Sequence, residues 1–481
     1  RALADAVAPG QSTLGVMLPY SGMHHLLMGP HPDRADDPAQ VLVMTSGNLS
    51  DEPLCTDPDE AERRLAGLAD GWLHHDREIH VACDDSVVQV VGGGLQPVRR
   101  SRGYAPVPVP LPAAVPPTLA VGGELKATVC LADDRRGWMS QHLGDVSTIE
   151  ALELLVRTVD VLRRQSRVDP EVVVADQHPG YLSRRWAADY AASEGARLVL
   201  VQHHHAHLGS LLAEHRWPAD EPVLGVTFDG TGYGSDGSIW GGEFLLGSYA
   251  EVRRVGHLAP VQLPGGDAAV RHPARIALAH LHAAGLPWDP SLPAVAAVAP
   301  TERTLLTGML RSGTGCVPTT SVGRLFDAVS ALLGICQQAD YEAQAAIELE
   351  AVVGTPPALA GEIPDMTVTE APDGLVIDPA GVLASLVRDV TTDVAPSVSA
   401  WRFHASLARG VRTVARHVRD TEGVQTIGLT GGVFQNALMT TECARSLLED
   451  GFDVLVHRRV PPNDGGLALG QTMIAACGGG R

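Results

Sequence analysis

Short apolar runs alternate with amphipathic helical patterns through most of the 481-residue chain. The runs are rich in valine and leucine and end in polar or glycine residues, which is typical of buried strands. Strands are predicted at residues 119–121, 127–131, 172–175, 198–201, 224–228 and 426–429. Helices are predicted at residues 147–164 and 204–215, and most of residues 268–420 is expected to be helical. This alternation predicts an α/β architecture with its functional loops at the carboxyl edge of the sheets.

A proline-rich segment interrupts this pattern. Six prolines occur in residues 105–117, and because proline fixes φ and lacks an N–H, we predict a semi-rigid extended linker there. The expected division is a first domain at 1–104, a linker at 105–118 and a second domain at 119–478. Elements predicted in the first domain are strands at 41–44 and 87–91 and a helix at 57–68 with an aspartate cap.

Composition narrows the class of protein. With 36 basic and 56 acidic residues, the formal net charge is −20, which argues against nucleic acid or an anionic membrane as the main partner. The seven cysteines form no CxxC pair, so a reducing compartment is expected rather than a disulfide framework. Neither a signal peptide nor an apolar run long enough to span a bilayer is recognisable, so a cytoplasmic protein is expected.

Histidines are concentrated at one predicted strand-to-helix junction, at His203, His204, His205 and His207. His203 and His207 are four residues apart, so on a helix they project from the same face and can share one ion. Two imidazoles combined with carboxylates suit a zinc or iron(II) site that leaves a position open for substrate. His204 and His205 point elsewhere on the helix, where they can support the ligands or contact substrate.

Glycine-rich turns follow several of the predicted strands. Asp229 and Asp464 are each followed by glycine, and bare backbone N–H groups in such turns can approach a phosphate closely. Residues 122–126 and 430–436 each contain a Gly-Gly pair, and the second pair opens a predicted helix, where a nucleotide can bind. Each segment is equally compatible with an ordinary turn, so both interpretations stay open at this point.

The first domain has polar candidates of its own. Residues 45–48 present hydroxyls and an amide at a predicted strand end, which suits an adenylate or, alternatively, a capped turn. Arg99, Arg100 and Arg102 can neutralise phosphate, although such a run is also typical of a solvated face.

The motifs, taken in order, resemble two known domains. The similarity to the later part of a YrdC-like domain rests on segments 18–27, 44–53, 75–79 and 100–106. The similarity to the domain of the TsaD family, which has an ASKHA-type fold, rests on segments 122–126, 203–207, 228–234, 240–243, 429–436 and 458–466. In this order, the chain resembles the HypF carbamoyltransferases of nickel–iron hydrogenase maturation.

This resemblance implies a fold and an activity. The implied fold is a partial YrdC-like α/β domain followed by a two-lobed ASKHA-type α/β domain with a helical insertion. The first domain is expected to form carbamoyl-adenylate from carbamoyl phosphate and ATP with Mg²⁺. The second domain is expected to transfer the carbamoyl group to the C-terminal cysteine of HypE, where it becomes a precursor of the active-site cyanide ligands.

The same resemblance implies the site residues. One divalent transition metal, Zn²⁺ or Fe²⁺, is expected on His203, His207, Asp229 and Asp464. Catalytic roles are expected for Asp229, His204 and Lys126. The nucleotide is expected to contact Gly122, Gly123, Lys126, Gly230, Gly232, Gly431, Gly432 and Asn436, and in the first domain Ser46, Asn48 and Arg102.

Departures from the family pattern leave alternatives. The family's amino-terminal acylphosphatase-like domain, its zinc modules and the first half of its YrdC-like domain have no counterpart in this sequence. The transfer domain is therefore expected to be complete, whereas formation of carbamoyl-adenylate by this sequence alone is not. The alternatives are an O-carbamoyltransferase of natural-product biosynthesis, which has the reverse domain order; a tRNA threonylcarbamoyl-adenosine enzyme, disfavoured by the acidic charge and the histidine cluster; and a catalytically incomplete nucleotide-binding scaffold that docks HypE.

Overall fold

The computed structural model describes residues 4–30, 39–49, 52–357 and 361–481. The elements of its first part are helices α1 (Gly22–Met28) and α2 (Pro58–Leu65) and strands β1 (Val87–Val91) and β2 (Gly94–Arg99), which form an antiparallel hairpin. The strand at 87–91 is confirmed. The predicted helix is confirmed as the shorter α2, which begins after Asp57 because the Asp57 carboxylate accepts the N–H of Glu60.

The prediction of a strand at residues 41–44 is wrong. This segment is irregular, and Val41 and Val43 are 72% and 74% exposed. A strand needs a neighbour for its N–H and C=O groups, and no described strand pairs with this segment. A short apolar run was therefore insufficient to specify a strand.

The first lobe is a four-stranded sheet with helices packed on its faces. Its elements are β3 (Val109–Ala120), β4 (Cys130–Met139), α3 (Ile149–Ser166), β5 (Val172–Asp176), α4 (Leu182–Glu194), β6 (Arg197–Val201) and α5 (His203–Glu214). The strand order is β4-β3-β5-β6, with β4 antiparallel to β3 and the other pairs parallel. The predicted elements of this lobe are confirmed with small shifts at their ends, except that β4 begins only at Cys130, near the end of its predicted range.

The prediction of a linker at residues 105–118 is wrong, because most of the segment belongs to β3. Val109 and Leu111 are buried while Pro110 between them is exposed, so the prolines lie on the outward face of an alternating strand. The proline-bearing part pairs irregularly with β4 and not with β5, which joins β3 only at residues 118–120. The missing proline N–H groups are thus tolerated because no strand on that side needs them.

The second lobe is a nine-stranded sheet with a helical insertion. Its strands are β7 (Val223–Tyr233), β8 (Ile239–Gly247), β9 (Val252–Leu258), β10 (Val261–Pro264), β11 (Cys316–Thr319), β12 (Thr367–Ala371), β13 (Gly374–Asp378), β14 (Thr426–Thr430) and β15 (Asp453–Val456). Its main strand order is β12-β13-β9-β8-β7-β14-β15, with β11 beside β8 and β10 beside β11. The predicted strands at 224–228 and 426–429 are confirmed.

The helices of the second lobe confirm the predicted helical region at 268–420, which also contains three short strands. The helices of this region are α6 (Pro273–Ala283), α7 (Pro293–Ala296), α8 (Pro300–Ser312), α9 (Val322–Leu332), α10 (Gln344–Val353), α11 (Ala380–Thr391) and α12 (Pro396–Glu422). Helices α13 (Ala437–Glu449) and α14 (Leu467–Ala476) follow it in the chain. Every helix among the described residues is too short or too polar to cross a lipid bilayer.

Helices α5 and α14 pack against each other in the core that joins the two sheets. Leu208 and Leu469 are fully buried in this core. Gly470 allows the helices to approach closely, since a Cβ atom there would lie 1.9 Å from the carbonyl oxygen of Ala206. This packing brings the start of α5 next to the loop that precedes α14.

Candidate metal and nucleotide site

Four predicted ligands converge at the start of α5: His203 and His207 on the helix, Asp229 on β7 and Asp464 before α14. One ligand atom from each lies within 4.8 Å of the others, and all four residues are buried. The Nε2 atom of His203 lies 3.3 Å from Oδ2 of Asp229 and 3.7 Å from Oδ1 of Asp464. For Nε2 of His207 these distances are 3.4 and 3.5 Å. Two nitrogens thus face two oxygens around one point.

Local hydrogen bonds aim the carboxylates at this point. Oδ1 of Asp229 accepts the backbone N–H of Gly432 at 3.0 Å, which leaves Oδ2 for the histidines. The loop carrying Asp464 is held by Asn463, whose Oδ1 accepts the N–H of Gly465 at 2.9 Å. Asp229 is therefore oriented by a residue distant in the chain, whereas the loop of Asp464 is held by its own neighbours.

Asp176 belongs to this site, although the sequence analysis did not select it. It ends β5 and is fully buried, and its Oδ2 lies 2.8 Å from Nδ1 of His203. A carboxylate on the second ring nitrogen fixes the tautomer and orientation of a ligating histidine. A polar residue ending a predicted buried strand, one strand before the histidines, was the available signal.

Electrostatics favour charge separation within the cluster. Burial lowers the pKa of His203, but the carboxylates of Asp464 and Asp176 outweigh it and raise that pKa well above its usual value. Burial raises the pKa of Asp229, yet the histidines hold it well below its usual range. The same balance lowers the pKa of Asp464 to about 2. Both carboxylates are therefore ionised and available as ligands.

The donor set fits a divalent transition metal. Two imidazole nitrogens and two carboxylate oxygens are a common combination for zinc and iron(II). The Nε2 atom of His207 is buried and makes no hydrogen bond to any described residue. It faces the two neighbouring carboxylates and is available to bind a metal. The metal assignment itself stays a prediction.

His204 lies next to the cluster without joining it. Its Nε2 is buried 3.7 Å from Oε2 of Glu243, and its Nδ1 faces the side-chain nitrogen of Gln202 at 3.3 Å. Because Gln202 is oriented by the N–H of His205 on its Oε1, its amide donates to Nδ1, which assigns the His204 proton to Nε2. Burial, and then the charge of His203, lower the pKa of His204 well below its usual value, so the ring is neutral.

Glu243 connects this histidine to the second lobe. It is fully buried, and its Oε2 accepts the N–H groups of Gly241 and Gly242 at 2.5 and 2.6 Å. Its Oε1 pairs with Arg254 at 3.1 Å. Burial raises the pKa of Glu243 to about 7, although Arg254 opposes the shift. His205 points away from the ligand cluster, and its Nε2 faces the carbonyl oxygen of Ser248 at 2.8 Å.

Apart from Gly230, the glycines predicted to contact the nucleotide divide into two groups. Gly123 and Gly232 border the histidines: a Cβ on Gly123 would lie 3.9 Å from the His203 ring, and one on Gly232 only 2.7 Å from it. In contrast, the N–H groups of Gly122, Gly431 and Gly432 bind Gln471, Pro462 and Asp229, respectively. The expectation of free backbone donors is therefore corrected for those three. Position 431 also requires glycine for two reasons. Its φ is +99°, and a Cβ there would lie 2.2 Å from a carbonyl oxygen.

Lys126 and Asn436 both have partners within the protein. The ammonium group of Lys126 forms an ion pair with Glu342. Asn436 caps α13, accepting the N–H of Met439 at 2.7 Å, and its Nδ2 faces His404 at 3.1 Å. Nucleotide contacts by either residue stay predictions, and each would require exchange of a partner.

The residues of the first domain that were predicted to contact the nucleotide do not join the metal-ligand cluster. Asn48 donates to the carbonyl oxygens of Leu49 and Glu52 at 3.0 and 2.9 Å, as in the capped-turn interpretation. Arg102 pairs with Asp85 at 3.1 Å and is half exposed, while Ser46 lies in an irregular segment. Arg100 is buried rather than solvated, donating to Val107 O at 2.7 Å.

Strands β1 and β2 contact the second lobe next to the carboxylate ligands. Val98 O accepts from Asn463 at 3.0 Å, and Gln89 donates to Gln435 O at 2.6 Å. Arg458 donates to Val91 O at 2.8 Å. The hairpin therefore packs against the two loops that flank the carboxylate ligands.

Comparisons with known families agree with this architecture. Residues 225–471 match the model of the second subdomain of the carbamoyltransferase Kae1-like domain, and residues 113–214 match the HypF Kae1-like domain. Residues 1–101 match the Sua5/YciO/YrdC model, described as telomere recombination. The class of protein is therefore a Kae1-like carbamoyltransferase domain preceded by YrdC-like sequence.

Individual relatives narrow this class. The carbamoyltransferases HypF2 of Cupriavidus necator and HypF of Rhodobacter capsulatus are each 39% identical over 98% of this chain. A crystal structure of full-length HypF in the phosphate- and nucleotide-bound form has a TM-score of 0.89 at 36% identity, covering 99% of this chain and 72% of that one. The chain belongs to the HypF carbamoyltransferase family. It spans 61% of the length of those two curated relatives.

Proposed function

We propose that this chain transfers a carbamoyl group from carbamoyl-adenylate to the C-terminal cysteine of HypE, as a step towards the cyanide ligands of nickel–iron hydrogenase. The observation that carries the proposal is the convergence of His203, His207, Asp229 and Asp464 within 4.8 Å, in a chain of the HypF family. Carbamoyl phosphate and ATP with Mg²⁺ are the proposed sources of the adenylate. The YrdC-like part is proposed to serve that first reaction.

The proposed transfer forms one bond and breaks one bond. The thiol sulfur of the acceptor attacks the carbamoyl carbon, a C–S bond forms, and the C–O bond to the adenylate phosphate breaks. AMP leaves, and the thiol proton is released to the departing phosphate or to solvent. A Zn²⁺ or Fe²⁺ ion, when bound, would polarise the carbamoyl oxygen or organise the phosphate.

The protein's own residues would orient this reaction. Asp176 holds the ring of His203 through Nδ1, and Gly432 holds the carboxylate of Asp229. Neutral His204, with its proton on Nε2, suits a hydrogen-bond donor near the reacting group better than a proton acceptor. Lys126 is proposed to leave Glu342 and bind phosphate when the nucleotide enters.

The proposal is tested by incubating this chain with pre-formed carbamoyl-adenylate and purified HypE, followed by intact-mass and peptide mass spectrometry. A carbamoyl adduct on the C-terminal cysteine of HypE is expected, and Asp229→Asn and Asp464→Asn should lose it while remaining folded. The matched control is Asp373→Asn, an exposed carboxylate beside His257 in the second lobe, which should retain transfer.

The absence of an adduct, with the wild-type chain folded and metal-loaded, would refute self-sufficient transfer to HypE. Nucleotide binding without any transfer would favour the scaffold alternative. A second incubation, with ATP and carbamoyl phosphate in place of the pre-formed adenylate, separates transfer from adenylate formation, because an adduct then requires both reactions.

A further inference from the structure

A buried arginine borders the candidate site and has no role in the function proposed above. Arg324 lies in the first turn of α9 and is 5% exposed. Its nearest carboxylate is Asp327 on the same helix, at 2.9 Å between Nη1 and Oδ2. Burying a guanidinium is costly unless its donors are bonded, so its surroundings require an explanation.

The ion pair satisfies this guanidinium only in part. Both Nε and Nη1 are buried and make no hydrogen bond to any described residue. Burial raises the pKa of Asp327 to about 6, although Arg324 opposes the shift. The pair with Asp327 therefore leaves two donors of Arg324 without a hydrogen bond among the described residues.

The remaining nitrogen, Nη2, is directed at the turn after Asp229. A Cβ atom on Gly230 would lie 3.3 Å from Nη2, so the missing side chain keeps this approach open. Gly230 and Thr231 are half-buried and border solvent. An anion resting on this turn would thus meet the guanidinium beside a metal ligand.

The start of α9 supports the same turn. Ser321 caps the helix, accepting the N–H of Arg324, and its hydroxyl lies 2.6 Å from Gly230 O and 3.0 Å from Asp229 O. Gly323 packs directly on Gly230, since a Cβ there would lie 2.7 Å from its Cα. The positive end of the helix and the guanidinium therefore converge on the same few atoms.

From this convergence we propose that Arg324 binds the phosphate of the adenylate at the transfer site. The inference rests on the proposed function, because that function supplies an adenylate. A phosphate matches the chemistry, since it provides several acceptor oxygens for the unused donors of a planar guanidinium. Arg324 would then hold the phosphate as the carbamoyl group leaves it.

The test compares two probes, AMP and adenosine, which differ only in the phosphate. Isothermal titration of each into the full chain gives the ratio of their affinities. Arg324→Gln should weaken AMP binding about 10- to 100-fold, as expected for loss of a charge-assisted hydrogen bond, and should leave adenosine binding unchanged. Arg324→Lys, which keeps a charge but not the fork, should give an intermediate loss.

Gly230→Ala provides a second variant that keeps Arg324 and its ion pair. Gly230 does not have a positive φ, so alanine is tolerated there, and its methyl group would obstruct the approach to Nη2. A selective loss of AMP affinity is expected again, smaller than for Arg324→Gln. The matched control is Arg402→Gln, which breaks a half-buried arginine–aspartate pair with Asp389 at 2.8 Å and should leave the affinity ratio unchanged.

The outcomes separate the inference from the function on which it rests. If wild type binds AMP and the two site variants keep the wild-type ratio, Arg324 is only part of a structural ion pair and the inference is wrong. If wild type binds neither AMP nor adenosine, the proposed nucleotide site fails, and the inference fails with it. Selective loss of AMP in both variants supports the assignment.

Discussion

The first part of the chain and the two-lobed part contrast in how their motif residues are held. In the first part, Val16 and Leu18 are 83% and 82% exposed, and Asn48 donates to the nearby backbone carbonyls of Leu49 and Glu52. In the two lobes, Leu208 and Phe228 are at most 1% exposed, and two metal-ligand candidates, His203 and Asp229, are held by hydrogen bonds to residues distant in the chain. Motif residues indicate chemistry in both regions, but burial by several elements is what gives them a defined geometry.

The hairpin of β1 and β2 is intermediate between the exposed first part of the chain and the buried residues of the lobes. It belongs to the matched YrdC-like sequence by position, yet its carbonyl groups and Gln89 bond to loops of the second lobe. In the hairpin, contacts with the second lobe therefore fix the geometry of first-domain residues.

The largest effect is expected from removing both histidines of the ligand pair. His203→Ala/His207→Ala should reduce bound transition metal from about one equivalent to none, because two of four donors are lost. Elemental analysis of the purified chain measures this change. His215→Gln, at the far end of the same helix, is the control and should keep its metal, whereas an unchanged metal content in the double variant would contradict the ligand assignment.

A pair of leucine substitutions tests the difference in burial between the two regions directly. Leu208→Ala should lower the free energy of unfolding by about 2–5 kcal/mol, because Leu208 is fully buried between α5 and the second sheet. Leu18→Ala should change it by less than about 0.5 kcal/mol, because that side chain is 82% exposed. Urea unfolding of both variants measures the difference, and equal effects would show that Leu18 is buried in solution.

Loss of the carboxylate behind His203 should have a smaller effect. Asp176→Asn keeps the size of the side chain but removes the negative charge on Nδ1, and metal affinity should fall about 10- to 100-fold. Competition with a metal-chelating dye measures the affinity. The control Asp169→Asn alters a carboxylate that pairs with Arg163 at the surface, and the two variants should differ clearly.

The buried histidine of α6 gives a pH-dependent prediction for the second lobe. Burial lowers the pKa of His280 to about 4, whereas an unfolded histidine titrates at about 6.5. Its contribution to stability is therefore complete above about pH 6.5 and decreases as the pH falls towards 4, by about 2 kcal/mol at pH 5. Between pH 7 and 5, the unfolding free energy of His280→Leu should fall less than that of the wild type. Parallel plots of unfolding free energy against pH for the two proteins would show that His280 does not cause the loss of stability.

Sequence reasoning succeeded where periodicity and local caps decide structure. Apolar patterning predicted the strands at residues 172–175 and 426–429 and the helix at 204–215, which the structure places at His203–Glu214. It failed at residues 41–44 and 105–118, where the outcome depended on whether a neighbouring strand was available. Proline content predicted a linker, but a partially paired position at the end of a sheet tolerates those prolines.

The sequence by itself determined the histidine pair of the metal-ligand candidates, because the four-residue spacing of His203 and His207 places both rings on one helix face; the two carboxylates followed from the family resemblance. It also determined the α/β class and the family resemblance. Only the tertiary structure decided that Asp176 supports His203, that Gly432 donates to Asp229, and that Arg324 faces Gly230. These contacts join residues far apart in the chain, and their geometry depends on how two sheets pack around α5 and α14, which local patterning does not encode.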